Sequence, residues 1–529
     1  MKLQLIIPMS GIGKRFLDFG YKIPKFLIEV EGKSVVEHVV EMYPGIESPI
    51  FICNKDHLEN KNLNLRQKLL KIRPKSKIIS IDAHKKGPIF AVLQATEFVD
   101  LNAPTIVNYC DFNCIWDFDA FMKHLKNTNC DGCVITYTGF HPHMVHSANY
   151  AYVKTENRKI IDIQEKKPFT NNPMRENASS GAYFFRSGKL MKEYFKKTID
   201  KNHSINGEFY VSLSYKSMIE DNLDLNIFEI KKFMQWGTPI DLQDYLWYSK
   251  LFSLKMSHKN NFKLEATLLM PAAGQGKRFL KDGYDIPKPL LKVSNKPMFI
   301  QALNDLPSTK QKLIVVKETL KYSQNLKEQI EINKLSCKVK FIRADTKGQS
   351  ETCYLAIKDS NPNESLFISS CDHGVIYNKD KFESLIHDKA IDIIVWGCRD
   401  YPNALRNPEM YGWITFKNNS ISKVSVKKRI KNDASKAIII GSFFFREISV
   451  FKKLAEEQFE KKELVNNEFY VDSLINIGIK KGLNIKYFEV DSFLCWGTPT
   501  ELKTYEYWQD CFDSWCIHKY KKKFDNDFN

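Results

Sequence analysis

The sequence lacks long hydrophobic runs. In its 529 residues no stretch of about 18 consecutive apolar residues occurs, which is the length that a membrane-spanning helix needs. The apolar stretch at the amino terminus is short and leads directly into a glycine-containing loop, so we expect no secretory signal peptide. We therefore expect a cytoplasmic protein without a membrane span.

The sequence also lacks a cysteine framework. Its 12 cysteines are scattered along the chain rather than set at paired spacings. In a cytoplasmic protein such cysteines are most simply free thiols. A small domain held together by disulfides is excluded by the length as well, because 529 residues suffice for two domains that each bury their own core.

Acidic residues are fewer than basic ones. The chain has 79 lysines and arginines against 62 aspartates and glutamates, which gives a formal net charge of +17. Such a charge is compatible with binding to nucleic acid or to an anionic membrane. However, the lysines are spread along the chain rather than packed into one arm. We therefore interpret them as solvated side chains together with sites for phosphorylated substrates, and we expect no nucleic-acid partner.

What the chain does contain is a motif that occurs twice. A Gly-x-Gly-Lys-Arg-Phe loop begins at Gly11 and again at Gly274, 263 residues later. In both places an apolar run precedes the loop, and a Pro-Lys pair follows it, with its lysine at Lys25 and Lys288. Repetition at the same spacing makes a chance match improbable.

The repetition extends through both halves of the chain, with an offset that falls from 263 to 260 residues. Further repeated segments, given as first and second copy, are Lys86-Gly87 and Lys347-Gly348, Cys110-Asp111 and Cys371-Asp372, Glu208-Phe209-Tyr210-Val211 and Glu468-Phe469-Tyr470-Val471, and Trp236-Gly237-Thr238-Pro239 and Trp496-Gly497-Thr498-Pro499. Two long units indicate a tandem domain duplication rather than a solenoid. We predict domains at 1–252 and 264–529, joined by a polar linker at 253–263.

Within each copy, short apolar runs alternate with helix-like stretches. In the first copy the runs Leu5–Ile7, Ile50–Ile52, Ile78–Ile81 and Thr105–Val107 predict buried strands, and Val35–Val40 predicts a helix. This alternation favours an α/β fold with a mostly parallel sheet and helices on both faces. Ligands in such folds bind outside the carboxyl ends of the strands, where the glycine loops lie.

The repeated loop has the chemistry of a phosphate site. Glycines let the backbone approach phosphate oxygens closely, and the guanidinium groups of Arg15 and Arg278 can each bind two such oxygens. Lys25 and Lys288 could supply a second cation. The loop lacks the Lys-Ser/Thr ending of a P-loop and the third glycine and later acidic residue of a dinucleotide-binding fold, which disfavours both.

Asp111 and Asp372 each follow an apolar run that predicts a strand. A carboxylate at this place either caps the next turn or binds Mg²⁺, which typically takes one or two carboxylates together with substrate phosphates. Because the aspartate is present in both copies, we favour the metal site and predict Mg²⁺ as the cofactor.

Taken together, these motifs resemble those of the sugar-nucleotide pyrophosphorylases, nucleotidyltransferases with a glycosyltransferase-A-like, Rossmann-like fold. The capsule-type members are similar in the Gly-Tyr-x-x-Pro-Lys segment that begins here at Gly20 and Gly283. The resemblance covers nearly all of both halves. It implies transfer of a nucleoside monophosphate from a nucleoside triphosphate to a sugar 1-phosphate or similar phosphorylated acceptor, with release of pyrophosphate.

The resemblance also implies roles for individual residues. Arg15, Lys25, Arg278 and Lys288 would be catalytic, and Asp111 and Asp372 would bind the metal. The residues that would bind the nucleotide are Gly11, Gly13, Gly87, Gly274, Gly276 and Gly348. The residues that would line the acceptor pocket are Tyr150, Glu165, Lys166 and Gly181 in the first copy, and Tyr411, Gly412, Lys427 and Gly441 in the second.

The copies depart from the family pattern in different ways. Gln235 and Cys495 stand where the family has a second metal-binding aspartate, so either one aspartate suffices or another acid replaces it, with Asp491, Glu208 and Glu468 as candidates. Val426 replaces the acceptor-site Glu165 in the second copy. Lys231 is matched by Asp491, and Phe26 by the family's proline, Pro289. One copy could therefore have become structural, or the two could use different acceptors.

Two weaker signals have plain structural interpretations. Asp117-Phe118-Asp119 resembles the Asp-x-Asp of glycosyltransferases, but its counterpart begins with Asn378, so we predict a helix start there. We expect His141, His143 and His146 to be exposed loop residues, with a place in the acceptor pocket as the alternative. The leading function is thus a nucleotidyltransferase for capsule or surface polysaccharide precursors. The alternatives are a glycosyltransferase or a degenerate nucleotide-sugar-binding scaffold, and a homo-oligomer remains open.

Overall fold

The structure is a computed structural model that describes residues 2–257, 262–274, 276–318, 320–343, 345–428 and 436–525. Two compact units make up the chain. The first comprises Met1–Leu246 with Ser514–Ile517, and the second comprises Trp247–Asp513 with His518–Asn529. The predicted linker at 253–263 falls partly within a helix that continues to Lys255, and its residues 258–261 lie outside the described residues.

The first unit contains 13 strands among its described residues. They are β1 (Gln4–Met9), β2 (Glu29–Val30), β3 (Lys33–Ser34), β4 (Ile50–Asn54), β5 (Lys77–Ile81), β6 (Thr105–Asn108), β7 (Phe112–Ile115), β8 (Gly132–Tyr137), β9 (Ala151–Glu156), β10 (Lys159–Glu165), β11 (Asn177–Phe185), β12 (Leu225–Glu229) and β13 (Lys232–Gln235). Its helices are α1 (Lys14–Asp18), α2 (Val35–Glu41), α3 (Lys55–Glu59), α4 (Leu65–Ile72), α5 (Pro88–Gln94), α6 (Phe118–Thr128), α7 (Gly188–Asp200), α8 (Val211–Glu220) and α9 (Pro239–Lys255), the last of which ends in the second unit.

The second unit repeats these elements. Its strands are β14 (Lys263–Pro271), β15 (Lys292–Val293), β16 (Lys296–Pro297), β17 (Ser308–Lys317), β18 (Lys338–Ile342), β19 (Leu366–Ser369), β20 (His373–Ile376), β21 (Ile393–Cys398), β22 (Gly412–Lys417), β23 (Ser420–Val426), β24 (Lys436–Phe445), β25 (Ile485–Glu489) and β26 (Ser492–Cys495). Its helices are α10 (Lys277–Lys281), α11 (Met298–Asp305), α12 (Leu320–Ile332), α13 (Gln349–Ala356), α14 (Lys379–His387), α15 (Pro402–Arg406), α16 (Ile448–Glu460), α17 (Val471–Lys480) and α18 (Pro499–Ser514).

The main sheet of the first unit has nine strands in the order β5-β4-β1-β6-β11-β8-β12-β10-β9. Strand β1 pairs in parallel with β4 and β6, β4 with β5, and β8 with β12. Strand β11 runs antiparallel between β6 and β8. The second sheet has the order β18-β17-β14-β19-β24-β21-β25, and β22 joins β23 to β24. The predicted α/β fold is therefore confirmed in each copy. Its parallel strands are joined by one inserted antiparallel strand, β11 or β24, and by an antiparallel hairpin, β9–β10 or β22–β23.

Helices cover both faces of the first sheet. Along β1, Leu5 and Ile7 belong to one hydrophobic cluster and Ile6 to another, because successive side chains of a strand point to opposite faces. The first cluster includes side chains of α2 and α6, and the second includes side chains of α5, α7 and α8. Burial on both faces explains why the predicted strands read as continuous apolar runs.

Among the described residues, no helix combines the length and apolar character that crossing a membrane requires.

The Asp-x-Asp segment of the first unit begins a helix, as predicted. The Asp117 carboxylate accepts a hydrogen bond from the backbone N–H of Ala120, 2.8 Å away, at the start of α6. In the second unit the Asn378 side chain accepts one from the N–H of Lys381, 3.0 Å away, at the start of α14. The two copies thus keep an oxygen that caps the helix but do not keep the charge, which fits capping rather than metal binding.

Replacing the capping group should therefore lower stability without affecting chemistry. We expect Asp117→Ala to reduce the free energy of unfolding by about 1 kcal/mol, because one N–H at the start of α6 loses its partner. Asp117→Asn, which keeps the accepting oxygen, serves as the matched control and should remain within a few tenths of a kcal/mol. Urea unfolding followed by circular dichroism measures both; equal losses in the two variants would contradict the capping role.

Candidate active site

The second glycine has the same backbone conformation in both glycine loops. Each loop follows an inner strand of its sheet, β1 or β14, and ends where a short helix begins. Gly13 has φ 70° and ψ 32°, and Gly276 has φ 61° and ψ 29°, a left-handed conformation that favours glycine. Gly11 and Gly274 are exposed, and a Cβ added to either would meet no atom within 4 Å. This open space leaves the backbone at Gly11 and Gly274 accessible to a ligand. Gln275, the residue between the two glycines of the second loop, lies outside the described residues.

A lysine–aspartate ion pair lies beside each loop. The Lys25 Nζ donates a hydrogen bond to Asp111 Oδ2 at 2.5 Å, and the Lys288 Nζ donates one to Asp372 Oδ2 at 2.5 Å. Each lysine begins a short 3₁₀ turn after a proline with φ near −55°, and each aspartate follows the strand next to the glycine-loop strand, β6 or β19. The structure thus brings together the predicted catalytic lysine and the predicted metal-binding aspartate in both units.

Burial and charge act against each other in these pairs. Burial on its own would lower the pKa of Lys25 and Lys288, but the neighbouring carboxylates of Asp111 and Asp372 outweigh it and raise both pKa values. Burial would likewise raise the pKa of Asp372, yet the charge of Lys288 and its hydrogen bond leave the pKa of Asp372 lowered. Both groups of the second pair are therefore charged at neutral pH.

The two predicted arginines lie on the first turns of α1 and α10 and are exposed. Burial and a hydrogen bond to Glu208 raise the pKa of Tyr210, and the positive charge of Arg15 opposes this rise. Arg278 has the same effect on Tyr470 in the second unit. In each unit the charge of the arginine thus acts on the tyrosine of the repeated Glu-Phe-Tyr-Val segment.

The place of the missing second aspartate lies next to the ion pair. In the first unit, a Cβ added to Gly237 would be 2.7 Å from Asp111 Oδ2 and 3.2 Å from Gln235 Oε1, so two oxygens converge on this glycine. In the second unit, a Cβ on Gly497 would be 3.1 Å from Asp372 Oδ2, and next to Cys495 Sγ and a carboxylate oxygen of Glu501.

Of these groups, the oxygens suit magnesium. Mg²⁺ prefers carboxylate and carbonyl oxygens and usually retains other ligands such as water and phosphate, so Asp111 with Gln235 fits it in the first unit. Burial raises the pKa of Cys495 far above its usual value, which leaves a neutral thiol that is a poor ligand for this ion. Asp372 with Glu501 is the oxygen pair of the second unit. No cluster of three or more histidines, cysteines or acidic residues suited to a metal occurs among the described residues.

Asp491, Glu208 and Glu468 were the three proposed replacements for the second aspartate. The acid that lies nearest to Gly497, beside the Asp372 carboxylate, is instead Glu501. Glu208 and Glu468 are each hydrogen-bonded by the tyrosine two residues later. Glu501 is a residue that sequence reasoning missed. It accepts hydrogen bonds from the Tyr411 hydroxyl at 2.7 Å and the Asn403 side chain at 2.8 Å. Its only sequence signal was its place three residues after Thr498. The Thr498 hydroxyl caps α18 by accepting a hydrogen bond from the Glu501 N–H, and it also lies within hydrogen-bonding distance of the Glu501 carboxylate.

Gly87 and Gly348 lie against backbone. A Cβ added to Gly87 would be 2.7 Å from the backbone nitrogen of Phe209, and one on Gly348 would be 2.7 Å from that of Phe469. The two segments are joined by hydrogen bonds, such as the Phe209 N–H to the Lys86 carbonyl at 3.0 Å. These glycines therefore hold the Glu-Phe-Tyr-Val segment against the start of α5 or α13.

The predicted acceptor residues of the first unit lie close together. Ser212 donates a hydrogen bond to Glu165 at 2.5 Å, and the Lys166 ammonium donates one to the Tyr210 hydroxyl at 2.5 Å. Burial raises the pKa of Glu165, against the opposing effects of Ser212 and Lys166. The backbone N–H of Lys166 bonds the Tyr150 carbonyl at 2.9 Å.

Gly181 and Gly441 occupy matching strand positions beside these groups. Gly181 has φ 97°, and a Cβ there would be 2.9 Å from the Tyr109 ring. Gly441 has φ 83°, and a Cβ there would be 2.8 Å from Ser370 Oγ. At both positions the backbone conformation and the close neighbours require glycine.

The second unit keeps the backbone of this region but not its side chains. The Lys427 N–H bonds the Tyr411 carbonyl at 3.1 Å, as in the first unit. Lys166 and Lys427 both have a left-handed backbone, with φ 58° and 51°, which is uncommon for a residue other than glycine and often marks a functional segment. The Lys427 ammonium, however, binds the Met410 carbonyl, and Gly412 packs against the side chain of Asp472.

The histidine prediction was wrong for His141 and His143. These residues are only 2% and 6% exposed, because they pack around Tyr137, whose hydroxyl lies 2.9 Å from His143 Nε2. Burial lowers the pKa of His141 to about 4. The pattern Gly-Phe-His-Pro-His is typical of a surface loop, because proline and histidine are common there. Tertiary contacts with Tyr137 nevertheless bury both histidines.

Comparison with known proteins identifies the class of protein. The sequence pattern of the family described as Nucleotidyl transferase matches twice, over residues 5–235 and 267–511. These matches cover most of the chain, which therefore belongs to the nucleotidyl transferase family and carries two copies of its domain. No curated protein matches the chain significantly.

Several solved structures are similar to less than half of the chain. One is a nucleoside-diphosphate-sugar pyrophosphorylase from Vibrio cholerae, with 22% identity over 46% of this chain and 99% of that one, at a TM-score of 0.37. Another is a putative glucose-1-phosphate thymidylyltransferase from Bacillus anthracis, with 19% identity, 46% and 92% coverage, and a TM-score of 0.37. A UDP-glucose pyrophosphorylase from Acinetobacter baumannii has 18% identity, 47% and 94% coverage, and a TM-score of 0.37.

The close approach at Gly87 should make this glycine irreplaceable. We expect Gly87→Ala to lower the free energy of unfolding by about 1–3 kcal/mol more than a matched substitution, because its Cβ would collide with backbone atoms of Phe209. Gly139→Ala is the matched control, since Gly139 has φ 84° against 83° for Gly87 but no atom within 4 Å of an added Cβ. Urea unfolding compares the two; equal midpoints would show that the collision is relieved.

Proposed function

We propose that this nucleotidyltransferase transfers a nucleoside monophosphate from a nucleoside triphosphate to a sugar 1-phosphate or a similar phosphorylated acceptor. A phosphate oxygen of the acceptor attacks the α-phosphorus in line. The bond from the α-phosphorus to the bridging oxygen breaks, and pyrophosphate leaves with the electron pair. The single observation that carries the proposal is the lysine–aspartate pair at 2.5 Å beside a glycine loop, present in both units.

The nucleotide end of each site supplies backbone and positive charge. The exposed loops at Gly11 and Gly274 offer N–H groups to the triphosphate, and Arg15 and Arg278 lie at the ends of these loops. Lys25 and Lys288 are held charged at the reacting centre by their carboxylate partners. Such preorganised cations stabilise the charge that develops on the α-phosphate and on the leaving pyrophosphate.

Magnesium fits the same place. Asp111 with Gln235 would hold it in the first unit, and Asp372 with Glu501 in the second. When bound, the ion neutralises phosphate charge and aligns the triphosphate. Lys25 and Lys288 would then turn from their aspartates to the phosphates, a movement that a flexible lysine side chain allows.

The acceptor enters on the side of Glu165 and Lys166 in the first unit and of Tyr411 and Lys427 in the second. A carboxylate there accepts hydrogen bonds from hydroxyl groups, and an ammonium group binds a phosphate. We place the product in capsule or surface polysaccharide synthesis and the protein in the cytoplasm. The support for this setting is the capsule-type Gly-Tyr-x-x-Pro-Lys segment at Gly20 and Gly283.

The Asp-x-Asp segment, which would support the alternative function of a glycosyltransferase, has a structural role instead. Asp117 caps a helix, and its counterpart is the uncharged Asn378. A scaffold that binds a nucleotide sugar without turnover remains as an outcome of the test, since Cys495 occupies a family metal position in the second unit.

The test is release of pyrophosphate by the full chain. The protein is incubated with Mg²⁺, each of the four nucleoside triphosphates, and glucose, galactose, mannose or N-acetylglucosamine 1-phosphate. We expect pyrophosphate with at least one pair and none without acceptor or with EDTA. Retention of a nucleotide sugar without pyrophosphate release from any pair would instead establish the scaffold.

Single substitutions then separate the two units. We expect Arg15→Ala and Arg278→Ala each to reduce one of two activities by about 100- to 1000-fold, as the loss of one charge-stabilising group does in other enzymes. Arg66→Ala, which removes an exposed arginine on α4, is the matched control and should leave both rates unchanged. If neither variant nor the double variant loses activity, the arginines have no role in binding phosphate.

A further inference from the structure

The acceptor wall of each unit consists of a β-hairpin and the first turn of a helix. In the first unit Ala151 and Glu165 lie directly opposite each other in the β9–β10 hairpin. In the second unit Gly412 and Val426 are the opposite pair in the β22–β23 hairpin. The helices are α8 and α17, each of which begins with the valine of the repeated Glu-Phe-Tyr-Val segment.

The residue after this valine differs between the units. In the first unit it is Ser212, which is fully buried and donates a hydrogen bond to Glu165 at 2.5 Å. In the second unit it is Asp472, a partly buried carboxylate. The helix of the second unit thus carries the carboxylate of Asp472 where the first unit has the hydroxyl of Ser212. The hairpin of the second unit, in turn, has Val426 where the first unit has the carboxylate of Glu165.

Gly412 makes room for this carboxylate. A Cβ added to Gly412 would collide with Asp472 Oδ2, so an alanine here, as at the matching position Ala151, would force this carboxylate to shift. Three neighbouring positions therefore change together, from Ala151, Glu165 and Ser212 to Gly412, Val426 and Asp472. Each unit keeps one carboxylate on this wall, but it projects from the hairpin in the first and from the helix in the second.

The electrostatic surroundings of the two carboxylates are alike. Burial raises the pKa of Glu165, and burial raises the pKa of Asp472 to about 6. In each case the lysine at the end of the hairpin opposes the rise, Lys166 in the first unit and Lys427 in the second. A carboxylate held in this way gains from a ligand that donates hydrogen bonds to it.

We propose that Asp472 is the acceptor-binding carboxylate of the second unit and takes the part that the resemblance assigns to Glu165 in the first. Its ligand is a hydroxyl group of a phosphorylated sugar or polyol. Because the carboxylate projects from the helix in the second unit and from the hairpin in the first, the two units recognise different hydroxyl arrangements and therefore different acceptors. This inference rests on the proposed nucleotidyl transfer.

A purely structural role for Asp472 accounts for fewer of these observations. An acidic residue in the first turn of a helix interacts favourably with the helix N-terminus, and Asp472 is in that turn. This interaction is available to a carboxylate that points into solvent and needs no glycine on the neighbouring strand. The inward position against Gly412, together with the loss of Glu165 from the hairpin, is what the binding role accounts for.

The test uses the full chain with the first unit silenced by Arg15→Ala. Pyrophosphate release is measured while glucose, galactose or mannose 1-phosphate or glycerol 3-phosphate is varied. We expect Asp472→Asn to raise the KM for the acceptor at least tenfold and to leave the KM for the triphosphate within twofold. Glu460→Gln, at an exposed position on α16, is the control and should change neither constant.

A second variant distinguishes a loss of acceptor binding from a folding defect caused by Asp472→Asn. The triple substitution Gly412→Ala, Val426→Glu and Asp472→Ser rebuilds the wall of the first unit. We expect it to recover acceptor binding and to shift the acceptor preference toward that of the chain silenced by Arg278→Ala. Thermal unfolding of each variant identifies loss of structure.

The outcomes separate this inference from the function on which it rests. If the unsubstituted chain releases no pyrophosphate with any pair, the proposed function fails and the inference fails with it. If the chain is active but Asp472→Asn leaves the acceptor KM unchanged, or the triple variant keeps the original preference, only the inference is overturned.

Discussion

The ion pair between a lysine and an aspartate holds together the parts of each site. Lys25 follows a proline-stiffened turn near the start of the unit, and Asp111 follows β6 about ninety residues later; Lys288 and Asp372 repeat the arrangement. Burial of either charge alone would be costly, and the aspartates raise the pKa of Lys25 and Lys288 against the effect of burial. The glycine loop on one side and the Gln235 or Cys495 position on the other are placed by the elements that carry this pair. A change in either partner therefore affects the whole cleft.

Many features of each unit could be predicted from the sequence, because they are local. The glycine loops, the strands before them and the helix that begins at Phe118 depend on residues within a few positions of each other. Repetition strengthened every one of these predictions. It also showed that Asp117 was a cap, since Asn378 keeps only the oxygen that capping requires.

The acceptor end could be predicted only in part, because its contacts join residues that are distant in sequence. Val426 stands at the position of Glu165 in the repeat, which indicates only that a carboxylate has been lost. Asp472 lies 46 positions beyond Val426 in the sequence, and no local signal links it to the hairpin. Glu501 was missed for the same reason, since its bonds with Tyr411 and Asn403 span 90 residues or more. Sequence comparison one position at a time detects losses but not replacements from another element.

The space around Gly412 bears on the history of the duplicated gene. An alanine at this position requires the Asp472 carboxylate to shift, whereas glycine leaves room for it. Of the two orders of single substitution, loss of the methyl group before gain of the aspartate avoids this crowding. The exchange of alanine for glycine thus favours a carboxylate on the helix at a place where the ancestral hairpin residue would have crowded it.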